Sequence, residues 1–137
     1  MTSEKKNIED KISQYLFKRD EILFAYLFGS FVRQENYHDI DIAIYLKENF
    51  DKDNYKSFPY GYESHIIGEL NLLVKKNIDL VVTNNANVLI QKRIITQGKL
   101  LFSKDEKKRI YYENNVRKLF IDTENLRKIR RYYLSKI

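Results

Sequence analysis

Two apolar runs joined by a polar segment constrain this chain more than any other stretch. Phe24 to Phe28 is apolar without interruption and stops at Gly29-Ser30; eight residues later the chain enters a second apolar run through Asp39-Ile40-Asp41. The enrichment in β-branched and aromatic residues predicts a strand over 22–28 and another over 38–46. Alternate strand residues share a face, so Asp39 and Asp41 point one way while Ile40, Ile42 and Ile44 enter a core. Two carboxylates held side by side repel unless a cation separates them. Hard oxygen ligands suit magnesium.

Each half of this arrangement has an ordinary explanation. Gly-Ser at a strand-to-helix junction is a common turn, although the free N–H groups of the first helical residues, and the Ser30 hydroxyl, are suited to phosphate oxygens. A bare Asp-x-Asp is often a solvated strand entrance. A third carboxylate distinguishes the two cases. Asp79 stands in the apolar run Ile78-Asp79-Leu80-Val81-Val82, where a charge is costly unless exposed, paired or metal-bound. If its strand lies beside the second, Asp79 completes a trio. Two divalent ions about 4 Å apart would satisfy such a trio and clamp the attacking and leaving oxygens of an in-line displacement. Asp79 would also be placed to accept the proton of an incoming hydroxyl.

The remaining elements follow from periodicity and caps. Ser3 can cap a helix over about 4–18, with Ile8, Ile12, Tyr15 and Leu16 at helical spacing. A polar, aromatic loop carrying Pro59 covers 47–61, and a helix over 62–76 follows. The third strand spans 78–83. Asn84 or Asn85 can cap a helix that carries Val88, Ile90, Ile94 and Ile95 and ends at Gly98 in a left-handed cap. A short edge strand over 100–102 precedes a Ser103-x-x-Glu106 capping box. The last helix then runs to about Ser135, with Tyr112, Val116, Leu119, Leu126, Ile129 and Tyr133 as its apolar stripe. This order argues an α/β sheet packed by helices.

Leu27-Phe-Gly-Ser-Phe-Val-Arg33, Asp39-Ile-Asp-Ile-Ala43 and Ile78-Asp-Leu-Val81 together resemble the DNA polymerase β nucleotidyltransferase superfamily. Size and the Gly98-Lys-Leu-Leu-Phe102 segment resemble its minimal nucleotidyltransferases (MNT, MntA-like), over residues 22–102. The resemblance implies the polymerase β-like fold, a small mixed sheet flanked by helices, here with a long C-terminal helix. It implies ATP as substrate and Mg²⁺, with two ions expected. Gly29 and Ser30, with Arg33 as a candidate, would meet the phosphates; Asp39, Asp41 and Asp79 would be both catalytic and metal-binding. It further implies transfer of AMP to a tyrosine of an all-helical HEPN-family toxin, so that the chain acts as an antitoxin. Two departures concern the loop: the spacer from Ser30 to Asp39 is shorter than in many members, and Gln34 stands where glycine often follows the arginine. Arg33 and His38 match the arginine–histidine spacing of HEPN ribonucleases, but that pattern needs a helix and these residues fall in a turn. His65 reads as a structural or surface residue.

Composition sets the outer limits. A chain of 137 residues predicts one compact unit, expected as a nucleotidyltransferase domain over 1–103 with a basic helix over 104–137. The absence of cysteine excludes disulfides and thiolate metal sites and fits a cytoplasmic protein; no apolar run reaches the ~20 residues of a membrane span. Residues 1–103 carry 14 Lys plus Arg against 14 Asp plus Glu, whereas 104–137 carry 11 against 5. The basic helix either packs on the domain with its charges solvated or docks on a partner. Three other readings stay open: an antitoxin that occludes its partner without catalysis, a nucleic-acid-binding module driven by the basic helix (the less favoured partner class), and an antibiotic nucleotidyltransferase, for which the chain lacks a substrate-binding region.

Overall fold

The computed structural model describes residues 3–136. It contains α1 (Ser3–Phe17), β1 (Ile22–Phe28), α2 (Ser30–Arg33), β2 (Ile40–Leu46), α3 (Tyr62–Val74), β3 (Ile78–Val82), α4 (Val88–Gln97), β4 (Lys99–Ser103) and α5 (Glu106–Leu134), with a 3₁₀ turn at Thr83–Asn85. The sheet order is β3-β2-β1-β4. β1 runs antiparallel to β2 and β4, and β2 runs parallel to β3. The sheet is therefore mixed, as the resemblance implies, and α3 provides the crossover that a parallel pair requires.

Strand alternation distributes the sheet residues between two cores. Ala25, Leu27, Ile40, Ile42, Ile44 and Leu46 face one side, where α1 supplies Ile8, Ile12 and Leu16 and α3 supplies Tyr62, Ile66 and Leu70. Phe24, Tyr26 and Ala43 face the other, against Ile94 of α4 and Tyr112 and Val116 of α5. Both sheet faces being covered explains why these strands read as nearly continuous apolar runs rather than alternating ones. Among the described residues no helix is long and apolar enough to cross a membrane.

Four local expectations change. The helix beginning at Val88 is capped by Asn87, whose side chain accepts from Ile90 N. Asn84 is drawn away to the end of β2: its Oδ1 accepts from Leu46 N at 2.9 Å and its Nδ2 donates to Leu46 O at 2.8 Å. Gly98 is extended (φ −80°) rather than left-handed. Its lack of a side chain serves close approach, because a methyl group there would lie 2.4 Å from Ile94 O and 2.9 Å from Leu27 O. Asp105, not Ser103, caps α5, accepting from Lys108 N. Ser3 is itself helical, and the two residues before it lie outside the described part of the chain.

The apolar stripe of α5 departs most from expectation. Tyr112 and Val116 are buried, whereas Leu119, Leu126, Ile129 and Tyr133 are exposed by 52–66%. The helix has 29 residues, about 43 Å at 1.5 Å per residue. The Lys92 ammonium lies over the Phe120 ring, and Thr123 and Glu124 are partly covered. Every described residue beyond Glu124 is exposed.

A buried polar cluster ties the start of β1 to α3. Glu21 accepts from Arg19 Nε at 2.6 Å and from Tyr62 Oη at 2.8 Å. Burial alone would push the Glu21 carboxyl up, but these two hydrogen bonds outweigh it and hold it below its ordinary value of 4.5. A carboxyl depressed in the folded state adds stability above its unfolded value, and that stability is lost as pH falls through the folded value. Glu21→Gln is therefore expected to lower the midpoint of thermal unfolding at pH 7 and to flatten its decline below about pH 4.5. Tm measured from pH 7 to pH 3 for both chains checks this, and parallel acid limbs would contradict it.

Candidate active site

The site is built at one end of the sheet, where β1 stops and β2 and β3 begin. β1 pairs Phe28 with Asp41, so the residue after Phe28 arrives against the Asp41 side chain. That residue is Gly29, with φ +75°, a left-handed backbone that glycine adopts without cost. A methyl group on Gly29 would lie 1.9 Å from Asp41 Oδ2. Glycine is required here twice, by its dihedral and by the carboxylate packed on it. The backbone then turns at once into the single helical turn of α2, with Ser30 partly buried at its start.

From the other side, the parallel register of β2 and β3 sets Asp41 directly beside Asp79. Both project on the face whose neighbouring positions, Ala43 and Val81, belong to the α4–α5 core. Asp79 is exposed, Asp41 and Asp39 partly buried. Asp39 lies one residue before β2, which starts at Ile40 through the bond from Ile40 N to Asn77 O (2.9 Å). Burial first, and then the charges of Asp79 and Asp39, push the Asp41 carboxyl above its ordinary value of 3.8. Asp41 thus feels both of its neighbours.

Among the described residues no group of three or more His, Cys, Asp or Glu side chains is gathered closely enough to hold a metal ion as it stands. The donor chemistry nevertheless fits a hard divalent cation. Two carboxylates face each other in register, a third is near enough to raise the proton affinity of Asp41, and a bound cation would reverse that effect.

Arg33 ends α2 and is exposed, so the structure brings Gly29, Ser30, Asp41 and Asp79 to one sheet end and leaves Arg33 at the edge of the loop. His38 lies in a bend outside any helix, so it shares no helix face with Arg33. His65 pairs with Glu69 at 3.0 Å on α3, away from the carboxylates.

One residue that supports the site is not apparent from motif reasoning. Lys5 of α1 is buried, donates from Nζ to Gln34 O at 2.5 Å, and lies over the rings of Phe31 and Tyr37. It ties the loop between Ser30 and Asp39 to the body of the protein. The sequence does carry a signal for it: Lys5 precedes Ile8 and Ile12 at helical spacing, on the face that enters the core.

A carboxyl raised in the folded state favours folding at low pH, and that contribution is lost as pH rises through the folded value. Asp41→Asn should therefore raise Tm at pH 7 and leave it nearly unchanged near pH 3. Gly29→Ala should lower stability by about 1–3 kcal/mol, the usual cost of a strained left-handed residue with a clash. Thermal unfolding at the two pH values checks the first and chemical denaturation the second, and an unchanged Tm of Asp41→Asn at pH 7 would contradict the electrostatic account.

Comparison with known proteins identifies the family and the fold. Residues 10–107 match the family described as polymerase beta, nucleotidyltransferase. No curated protein matches the sequence. Among solved structures, a chain from the complex of tri-AMPylated Shewanella oneidensis HEPN toxin with MNT antitoxin is 21% identical, with a TM-score of 0.72, covering 95% of this chain and 98% of that one. A chain from the toxin–antitoxin MntA-HepT is 20% identical (TM-score 0.69; 94% and 97% covered). One from a toxin–antitoxin with AMP-PNP is 19% identical (TM-score 0.69; 97% and 98% covered). The structural likeness carries the fold and the sequence match carries the family: this chain belongs to the polymerase β nucleotidyltransferases.

Proposed function

We propose that this chain transfers AMP from ATP to a tyrosine hydroxyl of a HEPN-family toxin and so serves as its antitoxin in the cytoplasm. The observation that supports this best is the register of β2 against β3, with Gly29 packed on the carboxylate of Asp41. Family membership supports the nucleotidyl transfer. The toxin and the adenylyl group are suggested by relatives of the same fold, one in complex with a tri-AMPylated HEPN toxin and one with AMP-PNP.

In this reading Gly29 and Ser30 bind the phosphates, with backbone N–H groups and the Ser30 hydroxyl as donors and Arg33 at the loop edge. Asp39, Asp41 and Asp79 would hold Mg²⁺, two ions in all. Bound there, the metal would neutralise the phosphates and the developing charge on the leaving pyrophosphate. The acceptor hydroxyl forms a new bond to the α-phosphorus while the bond to pyrophosphate breaks, and its proton passes to Asp79, the most exposed of the three carboxylates. The protein's contribution is positioning and charge placement rather than covalent chemistry. Residues 1–103 act as the catalytic unit and 104–137 as an accessory helix.

Incubation of the chain with labelled ATP, Mg²⁺ and a folded HEPN-family toxin is expected to label the toxin. Asp39→Asn with Asp41→Asn should reduce labelling on the order of a thousandfold and abolish protection from the toxin. Retained labelling by that double variant would overturn the metal assignment. Full protection without labelling would favour occlusion instead. Mg²⁺ should raise the Tm of the wild-type chain and leave that of the double variant unmoved, a readout independent of activity.

A further inference from the structure

We propose that the distal half of α5 is a docking surface for a helical protein partner whose apolar stripe is flanked by acidic side chains. All twelve residues from Asn125 to Lys136 are exposed. Leu126 and Tyr133 continue the seven-residue spacing that begins with Tyr112 and Leu119, and Ile129 lies on the same side. One stripe thus serves two purposes: Tyr112 and Val116 bury it against the domain, and Leu126, Ile129 and Tyr133 carry it about three turns beyond the domain's edge. A stripe with heptad spacing is complementary to the side-chain rows of another helix.

The charges around the stripe specify the partner's chemistry. Residues 125–136 contain Arg127, Lys128, Arg130, Arg131 and Lys136 and no acid. Arg127 pairs with Glu124 at 3.2 Å; among the described residues Lys128, Arg130 and Arg131 make no ion pair. A second copy of this chain docking here would set these like charges against each other, at a cost. A nucleic acid would meet the charges and leave Leu126, Ile129 and Tyr133 without a role. An acidic helix satisfies both.

A cavity beside the packed part of α5 offers an anchor point. It is open, about 290 Å³ in volume, and lined by Tyr45, Glu48, Lys108, Tyr112, Val116 and Leu119 among others. It is continuous with the stripe through Tyr112 and Leu119, so one large apolar side chain of the partner helix can seat there. Tyr45 is four residues along β2 from Asp41, about 13 Å at 3.3 Å per residue. A partner held on α5 is thereby kept within reach of the sheet end that carries the carboxylates, while leaving that end open.

This surface rests on the proposed function for the probe used to test it, a HEPN-family toxin. Calorimetric titration of the toxin is done with the unaltered chain, with Leu126→Asp/Ile129→Asp, and with Arg127→Glu/Lys128→Glu/Arg130→Glu/Arg131→Glu; unchanged far-UV circular dichroism and Tm show that each variant is folded. Loss of affinity by at least about a hundredfold is expected for the apolar pair. The charge set should weaken binding, with an effect that shrinks as salt rises. Asp39→Asn/Asp41→Asn should bind like wild type. Wild-type affinity in the apolar pair would overturn the docking surface, and so would toxin labelling without measurable capture; neither affects the transfer reaction. Absence of both labelling and capture would overturn both readings. Light scattering and an RNA oligonucleotide titration complete the test. A dimer dissolved by the apolar pair would assign the surface to a second copy. RNA binding lost only with the charge set would assign it to nucleic acid.

Discussion

The juxtaposition of Asp41 and Asp79 is the constraint around which the sheet is arranged. Two carboxylates on adjacent strands cost free energy unless a cation joins them, and here burial raises the cost further. The register that creates this contact is parallel, and a parallel pair needs a long return connection. The loop after β2 and helix α3 make that connection. Ile40, Ile42 and Ile44 on the opposite face of β2 are fully buried, and a one-residue slip would move all of them to the wrong side. Hydrophobic packing on one face thus enforces electrostatic repulsion on the other. Stability surrendered at a few charged positions and recovered in the surrounding core is the usual signature of a functional site.

Gly29 shows how closely backbone and chemistry are joined. Its positive φ lets β1 turn immediately into α2, and its missing side chain makes room for the Asp41 carboxylate. A residue at the end of one strand is therefore selected by a side chain on the next. The loop that follows is fastened at its far side by Lys5, whose ammonium reaches Gln34 O from α1. The first helix has no residue in the candidate site, yet it fastens the loop between Ser30 and Asp39 to the body of the protein.

What could be read from the sequence, and what could not, divides along physical lines. β1 is legible to the residue because it is a short apolar run between charged residues and Gly-Ser. The pairing of Asp79 with Asp41 is legible once β3 is laid beside β2, since both strands begin with a carboxylate one residue in. Caps were less legible, because Asn84, Asn85 and Asn87 are alike in local propensity. The choice fell to Asn87 only because Asn84 bonds both backbone groups of Leu46 across the sheet. Asp105 prevailed over Ser103, which is drawn into β4 by its pairing with Phe24. In each case a contact distant in sequence decided between equal local candidates. Gly98 follows the same logic: a glycine after a helix suggests a left-handed cap, but here the carbonyls of Ile94 and Leu27 leave no room for a side chain.

The apolar stripe of α5 illustrates a different limit. Periodicity identifies the face that seeks cover and gives no information on where the cover comes from. Tyr112 finds it in Phe24 and Tyr45, with ring centroids at 5.6 and 5.2 Å, and Tyr26 fixes the crossing through its bond to Glu113 at 2.6 Å. Beyond Glu124 the domain ends and the pattern does not. A helix sized only to complete this core would stop within a turn of Phe120. The further turns hold apolar side chains at the same spacing, now surrounded by positive charge. That combination is costly for a lone helix and economical for one whose remaining face is supplied by another protein.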